Sequence, residues 1–193
     1  LLSSRASSLP AYQARSGSLP PRRYPLRFAM AATDRDALVA LFHSTGGNSW
    51  EISGNWNTTA ELSTWYGIKV DGQGRVVALR LVANHLRGSI PKELGALTNL
   101  ESLDLGYNEL IGSIPKELGA LTKLTELSLG KNQLTGSIPK ELGALTNLES
   151  LKLGNNKLIG SIPKELGTLT KMRQLYLGRN HLTGKRRESL YNF

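Results

Sequence analysis

The 193-residue sequence contains no cysteine, only three histidines and no long apolar run. The lack of cysteine excludes disulfide bonds, and no apolar run approaches the ~20 residues that a helix needs to span a bilayer. The sequence also has no glycine-rich phosphate loop followed by Lys-Ser or Lys-Thr, no kinase signature and no supported Ser/His/Asp set. We therefore expect no enzymatic activity, no cofactor, no metal site and no membrane span in this chain.

The formal net charge of +9 is concentrated at the two ends of the chain. Residues 1–29 hold five arginines and no acidic residue, residues 185–193 add +2, and the long middle segment adds only +2. A protein that neutralises a phosphate backbone needs a basic face on its ordered part. The charge distribution therefore argues against nucleic acid as a partner.

The first 29 residues form a segment that is rich in Ser, Pro and Arg. The segment lacks the apolar stretch of a secretory signal, and its composition predicts a disordered extension without a fold of its own. Two interpretations stay open. The segment is an organelle transit peptide, or it lies upstream of a natural start at Met30, which begins MAATDRDAL.

What the sequence has in abundance is a 24-residue repeat. Each unit contains the run LxxLxLxxNxLxG, and its asparagine occurs five times, as Asn84, Asn108, Asn132, Asn156 and Asn180. A fixed period of this length predicts a solenoid, in which each coil buries its apolar face against its neighbours. Leucines two positions apart, such as Leu103 and Leu105, lie on one face of a short strand. Stacked strands then form a parallel ribbon whose leucines point inward, each contributing about 1.5–3 kcal/mol.

The other invariant positions of the repeat predict how the chain turns. The asparagine follows the strand, where backbone groups lack ladder partners, so we interpret the five amides as a structural ladder. Gly88 and its equivalents allow tight turns. The Ile90-Pro91 step holds the chain extended and opens a short helical turn, which the next glycine, Gly95, is expected to end.

The complete unit LxxLxLxxNxLxGxIPxxLGxLxx resembles the plant-type leucine-rich repeat over residues 76–184. This resemblance implies an α/β solenoid, a right-handed superhelix with a parallel concave β-ribbon and short 3-10 or helical turns on the convex side. Residues 33–75, with TDRDALVALFHSTGGNSW, GNWNT and LSTWYGIKVDGQGRVVAL, resemble the cysteine-free N-terminal cap of brown-algal leucine-rich repeat proteins, of Roco-type or receptor-like kind.

Secreted members of the plant family usually close this cap with cysteine pairs. Because the present chain has none, the resemblance favours a cytoplasmic location over an extracellular one. The extracellular alternative stays open if a secretory signal is missing from this sequence.

Residues 30–75 are predicted to form the N-terminal cap. Thr33 and Asp36 form a capping box that opens a helix, and Gly46-Gly47 ends it. Two strand-like runs flank DGQG and predict a hairpin, and the three tryptophans cover the first coil. The strand-like runs are residues 65–70 and 75–81. The tryptophans are Trp50, Trp56 and Trp65.

After the repeats at 76–184, residues 185–193 form a divergent basic tail. The Ser-Ile-Pro that would continue the repeat is replaced there by other residues. We therefore predict that no further coil covers the end of the last repeat. The tail indicates either a truncated gene product or a lid formed by Leu190, Tyr191 and Phe193.

The full repeats differ mainly at the strand positions that face solvent, whereas GSIPKELG is identical in all four. Tyrosine and arginine, which anchor interfaces, are among the residues that vary. We predict a partner-binding surface on the concave face, formed by Glu101, Asp104, Tyr107, Glu126, Lys131, Lys152, Asn155, Arg173, Tyr176 and Arg179. Strand spacings give it an area of about 300 Å², less than the ~800 Å² per partner of a standard interface. We therefore expect either a weak contact or one that flanking segments and missing repeats enlarge.

We therefore predict a module that recognises a protein or a peptide on its concave face and that acts in signalling or defence. The resemblance to known families implies two alternatives: a sensor or ectodomain fragment of a receptor-like kinase or a Roco-type GTPase, and an extracellular enzyme inhibitor. An ice-binding solenoid is disfavoured, because ice binding needs flat rows of one short residue and the concave columns are mixed. The sequence does not identify the partner or the oligomeric state.

Overall fold

A computed structural model describes residues 33–183, so the predictions for residues 1–29 and for the tail at 185–193 lie outside it. In the described range the chain forms one α-helix, α1 (Asp34–Ser44), and strands β1 to β10. The strands are Ile68–Val70, Val76–Arg80, Arg87–Ser89, Ser102–Asp104, Glu109–Ile111, Glu126–Ser128, Ser150–Lys152, Ile159–Ser161, Gln174–Tyr176 and His181–Thr183. The 3-10 helices are Gly47–Ser49, Leu62–Thr64, Lys92–Ala96, Lys116–Ala120, Lys140–Ala144 and Lys164–Thr168.

Helix α1 begins with the predicted capping box. The Thr33 backbone N–H and hydroxyl both donate to Asp36 Oδ2, at 2.9 and 2.7 Å, and the Asp36 N–H donates to Thr33 Oγ1 at 3.2 Å. The helix buries Ala37, Leu38, Leu41 and Phe42. It is followed by Gly46, whose φ of 69° places it in the left-handed region that glycine adopts without strain.

The predicted tryptophan packing of the cap is also observed. The rings of Phe42 and Trp50 lie 5.4 Å apart, those of Trp50 and Trp56 4.8 Å, and those of Trp56 and Trp65 5.1 Å between centroids. All four side chains are buried in the same core as the first leucines of the repeats. The aromatic cluster therefore closes the N-terminal end of the leucine core.

The concave sheet confirms the fold class. Its strand order is β1-β2-β4-β6-β7-β9. Strand β1 is antiparallel to β2, as the predicted hairpin requires, and every later pair is parallel. The register aligns one leucine per coil, namely Leu79, Leu103, Leu127, Leu151 and Leu175. The molecule is thus a leucine-rich solenoid behind an N-terminal helix and hairpin.

A second parallel ribbon was not predicted from the sequence. Strand β3 pairs with β5 and β8 pairs with β10, while a single bridge between Ser113 and Thr135 lies between the two pairs. Each of these strands has three residues, and the first and last residue of each strand are exposed or half-buried. The stacking of the coils, rather than any local apolar alternation, forms this ribbon.

One predicted role of glycine is wrong. Gly95 lies inside the 3-10 helix Lys92–Ala96 and does not end it. A Cβ atom added to Gly95 would lie 2.5 Å from the carbonyl oxygen of Glu117 on the next coil. The glycine is therefore required because two consecutive coils approach each other too closely for a side chain.

Candidate functional site

The asparagine ladder ties each coil to the coil before it. The Asn132 amide nitrogen donates to the carbonyl oxygens of Leu105 and Leu129, at 3.0 and 3.1 Å, and its Oδ1 accepts from the Leu110 N–H at 3.0 Å. Asn108, Asn156 and Asn180 make equivalent contacts one coil earlier or later. Asn84 makes the same kind of contact with the cap, because its side chain both donates to and accepts from the backbone of Ile52.

The residue before each ladder asparagine adopts a left-handed backbone conformation. These residues are Ala83, Tyr107, Lys131, Asn155 and Arg179, with φ between 51° and 57°. Four of the five are neither glycine nor asparagine, and for such residues this conformation costs about 1–2 kcal/mol. The backbone N–H groups of Tyr107, Lys131 and Asn155 donate to glycine carbonyls of the next coil at 2.8–2.9 Å. We call these five residues the left-handed column.

The concave face carries a chain of charged contacts that crosses several coils. Glu126 lies between two bases, with its carboxylate 3.1 Å from Lys152 Nζ and 3.7 Å from Arg80 Nη2. The Ser102 hydroxyl lies 3.3 Å from both the Arg80 guanidinium and the Glu126 carboxylate. On the same face, Arg173 Nε is 3.6 Å from Glu149 Oε2. Acids and bases from four coils therefore hold one another in place.

Within residues 33–183, the two bases of the left-handed column contact uncharged side chains. Lys131 Nζ lies 4.1 Å from the centre of the Tyr107 ring, a cation–π contact. Arg179 Nη1 lies 3.4 Å from Asn155 Oδ1. Neither base forms an ion pair with a carboxylate of residues 33–183. Positive charge is thus available at this edge of the sheet.

All ten residues predicted for the binding surface lie on the concave strands, directly before them or three residues after them. Tyr107 and Tyr176 are 58% and 54% exposed, which is unusual for large aromatic residues on a packed fold. Six are exposed (Glu101, Tyr107, Lys131, Arg173, Tyr176 and Arg179) and four are half-buried (Asp104, Glu126, Lys152 and Asn155). The structure brings Lys152 to Glu126 and Lys131 to Tyr107, whereas Glu101 makes no ion pair within the described range.

The concave face and its surroundings contain further residues that the sequence analysis did not select. Arg80, Ser102 and Glu149 take part in the charged contacts and were not selected, although each occupies a column that the repeat alignment identifies. Ile52 and Val82 are 44% and 43% exposed beside the first coil. Ile52 lies in the cap, outside the repeat, and Val82 stands where the later coils have glycine, so comparison of the repeats did not select either residue.

Shifted pKa values occur away from the concave strands. The Arg87 guanidinium donates a hydrogen bond to Glu109 and lowers the pKa of that carboxyl below its usual 4.5, and His85 adds to the shift. Hydrogen bonds from Arg75 lower the pKa of Asp71 in the hairpin turn. Within residues 33–183, no group of three or more His, Asp or Glu is arranged to hold a metal ion. No helix in that range is both long and apolar enough to cross a membrane.

The repeats, the parallel sheet and the asparagine ladder define a leucine-rich solenoid, and residues 67–192 match the family described as a leucine-rich repeat region. The chain belongs to the leucine-rich repeat family. Sixty of its residues are 38% identical to a probable leucine-rich repeat receptor-like protein kinase of Arabidopsis thaliana. The match covers 30% of this chain and 6% of that kinase, so the chain spans only a small part of this relative.

Two solved ectodomains from Arabidopsis thaliana are similar over most of the chain. The BIR2 ectodomain superposes with a TM-score of 0.71 and 31% identity, covering 78% of this chain and 82% of that one. The ectodomain of the plant membrane receptor kinase GASSHO1/SCHENGEN3, solved in complex with CASPARIAN STRIP INTEGRITY FACTOR 2, gives 0.74 and 39%, covering 78% and 18%. These relatives confirm the plant-type resemblance, while the likeness of the cap to brown-algal proteins stays a prediction.

Proposed function

We propose that this chain is a recognition module that binds a protein or a peptide on its concave face. The observation that carries the proposal is the pair of exposed tyrosines, Tyr107 and Tyr176, set among charged side chains on a rigid sheet. Tyrosine supplies large contact area at a low cost in side-chain entropy, and it is enriched where interfaces concentrate their binding energy. The GASSHO1/SCHENGEN3 ectodomain, which has the same fold, was solved in complex with a partner, and this supports the proposal.

The rigidity of the sheet also supports a binding role. Within residues 33–183 every buried side-chain nitrogen or oxygen has a hydrogen-bond partner. The concave side chains therefore vary on a backbone that is held independently of them, since the buried asparagines and leucines carry the fold. A surface of this kind can change its specificity without loss of stability. We propose no catalytic role for it.

The test is binding by a variant in which Tyr107, Lys152, Tyr176 and Arg179 are all replaced by alanine. Pull-down from an extract is expected to recover a partner with the wild type and to lose it with this variant, because the variant removes the two tyrosines and two of the cations. Its melting temperature should stay close to that of the wild type. The matched control replaces Lys92, Lys116, Lys140 and Lys164, which are exposed in the 3-10 helices. Retained binding by the concave variant, or equal loss in the control, contradicts the proposal.

A second candidate is that the chain is the sensing region of a larger receptor-like protein. The similarity to a receptor-like kinase and to two receptor ectodomains favours it. The sequence of the full-length transcript beyond Phe193 tests this candidate. A kinase or GTPase reading frame there supports it, whereas a stop codon directly after Phe193 argues against it.

A further inference from the structure

The second parallel ribbon, which contains β3, β5, β8 and β10, has an exposed outer face. Alternate residues of a strand point to the same side of a sheet, so each coil contributes up to three residues to this face. They occupy three rows, which are His85, Glu109, Gln133, Lys157 and His181; Arg87, Ile111, Thr135, Ile159 and Thr183; and Ser89, Ser113, Ser137 and Ser161. All of these residues are exposed except Glu109, which is half-buried. We call this set the outer face.

Two isoleucines of the outer face are in contact with solvent. Ile111 is 51% exposed and Ile159 is 53% exposed, whereas burial of such a side chain stabilises by about 1.5–3 kcal/mol. The neighbouring row consists only of serines, whose short side chains let a second flat surface approach. The outer face is therefore suited to pack against another sheet, at the spacing of about 10 Å that stacked sheets adopt.

The rows of the outer face are nearly symmetric about the third full repeat. Ile111 and Ile159 lie one coil before and one coil after Thr135. In the adjacent row, an acid and a base lie one coil before and one coil after Gln133, namely Glu109 and Lys157. A two-fold interface brings the same patch of both copies together, so that residue i meets residue j and j meets i. Reversal of the coil order therefore sets isoleucine against isoleucine and acid against base.

The charged residues of the outer face fit this reversed order. Lys157 Nζ lies 3.2 Å from Gln133 Oε1 and forms no ion pair within residues 33–183. The Glu109 carboxylate lies 3.0 Å from Arg87 Nη2 and 3.5 Å from His85 Nδ1. Because Arg87 already compensates Glu109, the acid–base contact between copies contributes to orientation more than to affinity.

We infer that the outer face binds the outer face of a second copy of this chain, with the coils in reversed order and the two-fold axis beside Thr135. The inference is independent of the proposed function, because the second ribbon and the concave strands belong to separate sheets. Strand spacings give an area of about 300 Å² per copy, less than the ~800 Å² of a standard interface. The dimer is therefore weak, and its detection needs a covalent trap.

A single cysteine on the two-fold axis provides this trap, since the chain has no cysteine of its own. A short bis-maleimide reagent is expected to link two copies of the purified Thr135→Cys variant, because the two residues at 135 face each other. The matched control is Thr146→Cys, an exposed threonine of the same repeat that lies outside the outer face. Since stacked sheets lie about 10 Å apart, the on-axis variant should crosslink about tenfold faster than the control or more.

Two further cysteine variants test the reversed order of the coils. Ile111→Cys and Ile159→Cys should each crosslink poorly alone, because each position faces the other in the second copy. An equimolar mixture of the two variants should crosslink about as fast as Thr135→Cys. The melting temperatures of all these variants should match that of the wild type, because the replaced side chains are exposed.

Charge reversal tests the contact between acid and base. In the Thr135→Cys chain, the further change Lys157→Glu should slow crosslinking about fivefold or more, because it sets two acids against each other. Glu109→Lys should also slow it, and a chain with both reversals should recover, because acid and base have exchanged places. The control, Lys140→Glu in a 3-10 helix, should leave the rate unchanged.

The outcomes decide between the reversed dimer and other arrangements. Equal crosslinking of Thr135→Cys and Thr146→Cys means that no second copy binds the outer face, and it overturns the inference. Faster crosslinking of Ile111→Cys with itself than with Ile159→Cys also overturns it, since the coils are then in another order. A double charge reversal that does not recover removes the acid–base contact and the reversed order with it. None of these results bears on the pull-down with the concave variant, so the proposed function stands or fails separately.

Discussion

At the scale of single residues, the ladder asparagines and the surface around them have opposite requirements. The Asn132 side chain is buried and bonds backbone groups of two coils, whereas Gln133 next to it is exposed and contacts only Lys157 through its side chain. Asn132 cannot be replaced without leaving backbone groups unpaired, whereas Gln133 can. This contrast explains how the repeat keeps one residue and varies its neighbour.

Replacement of Asn132 by alanine should lower the free energy of unfolding by more than about 1 kcal/mol, because it orphans buried carbonyl and amide groups. Chemical denaturation of the two proteins measures the difference. The control, Gln133→Ala, is expected to stay within about 0.5 kcal/mol of the wild type. If both variants unfold at the same denaturant concentration, the amide at 132 has no structural role.

At the scale of elements, the 3-10 helices set how closely the coils stack. Gly119 and Gly167 occupy the same position in the second and the fourth full repeat. A Cβ atom on Gly119 would lie 2.5 Å from the Glu141 carbonyl oxygen, while no atom of the described residues lies within 4 Å of the position on Gly167. Chemically identical substitutions should therefore differ in effect.

Gly119→Ala should destabilise the protein by about 1–3 kcal/mol, since two coils must move apart. Gly167→Ala should be neutral or slightly stabilising, because alanine lowers the entropy of the unfolded chain. Thermal or denaturant unfolding of the two variants provides the comparison. Equal losses of stability would mean that close stacking is not the reason for the glycine.

The start of helix α1 gives a prediction about pH. The Thr33 backbone N–H, followed by the Thr33 hydroxyl, lowers the pKa of Asp36 below its usual 3.8 in the folded state. The ionised carboxylate thus stabilises the fold above pH 3.8, and this contribution is lost as the pH falls through the lower, folded-state pKa. The difference in melting temperature between the wild type and Asp36→Asn should shrink on acidification. A difference that does not change with pH, or a carboxyl that titrates above 3.8 by NMR, would count against the capping box.

At the scale of the whole molecule, most of the fold was predictable because a 24-residue period leaves few alternatives for the chain. Local sequence patterns predicted the helix after Thr33, the hairpin around DGQG and the register of the leucines, and the structure contains all three. The second parallel ribbon was missed, since three-residue strands such as Arg87–Ser89 have no apolar alternation to detect. The true role of Gly95 depends on a residue 22 positions later, Glu117, and a local turn rule cannot find it.

The layout of the concave face was predictable in part for the same reason, while its role in binding stays a prediction. Comparison of the repeats identifies the columns that vary, and these hold all ten predicted residues. It does not identify which charges neutralise one another, because the pairing of Arg80, Glu126 and Lys152 depends on side chains from three coils. The exposed Ile52 contacts Asn84 where the cap meets the first repeat, a junction that occurs once and so has no second copy for comparison.

Site-specific photo-crosslinking tests the concave face as the binding surface most directly. A photoreactive phenylalanine placed at Tyr107 or Tyr176 should crosslink a partner in an extract, whereas the same group at Lys116 or Lys140 should not, although all four side chains are exposed. Crosslinks obtained only from Lys116 and Lys140, or equally from both faces, would contradict recognition by the concave face.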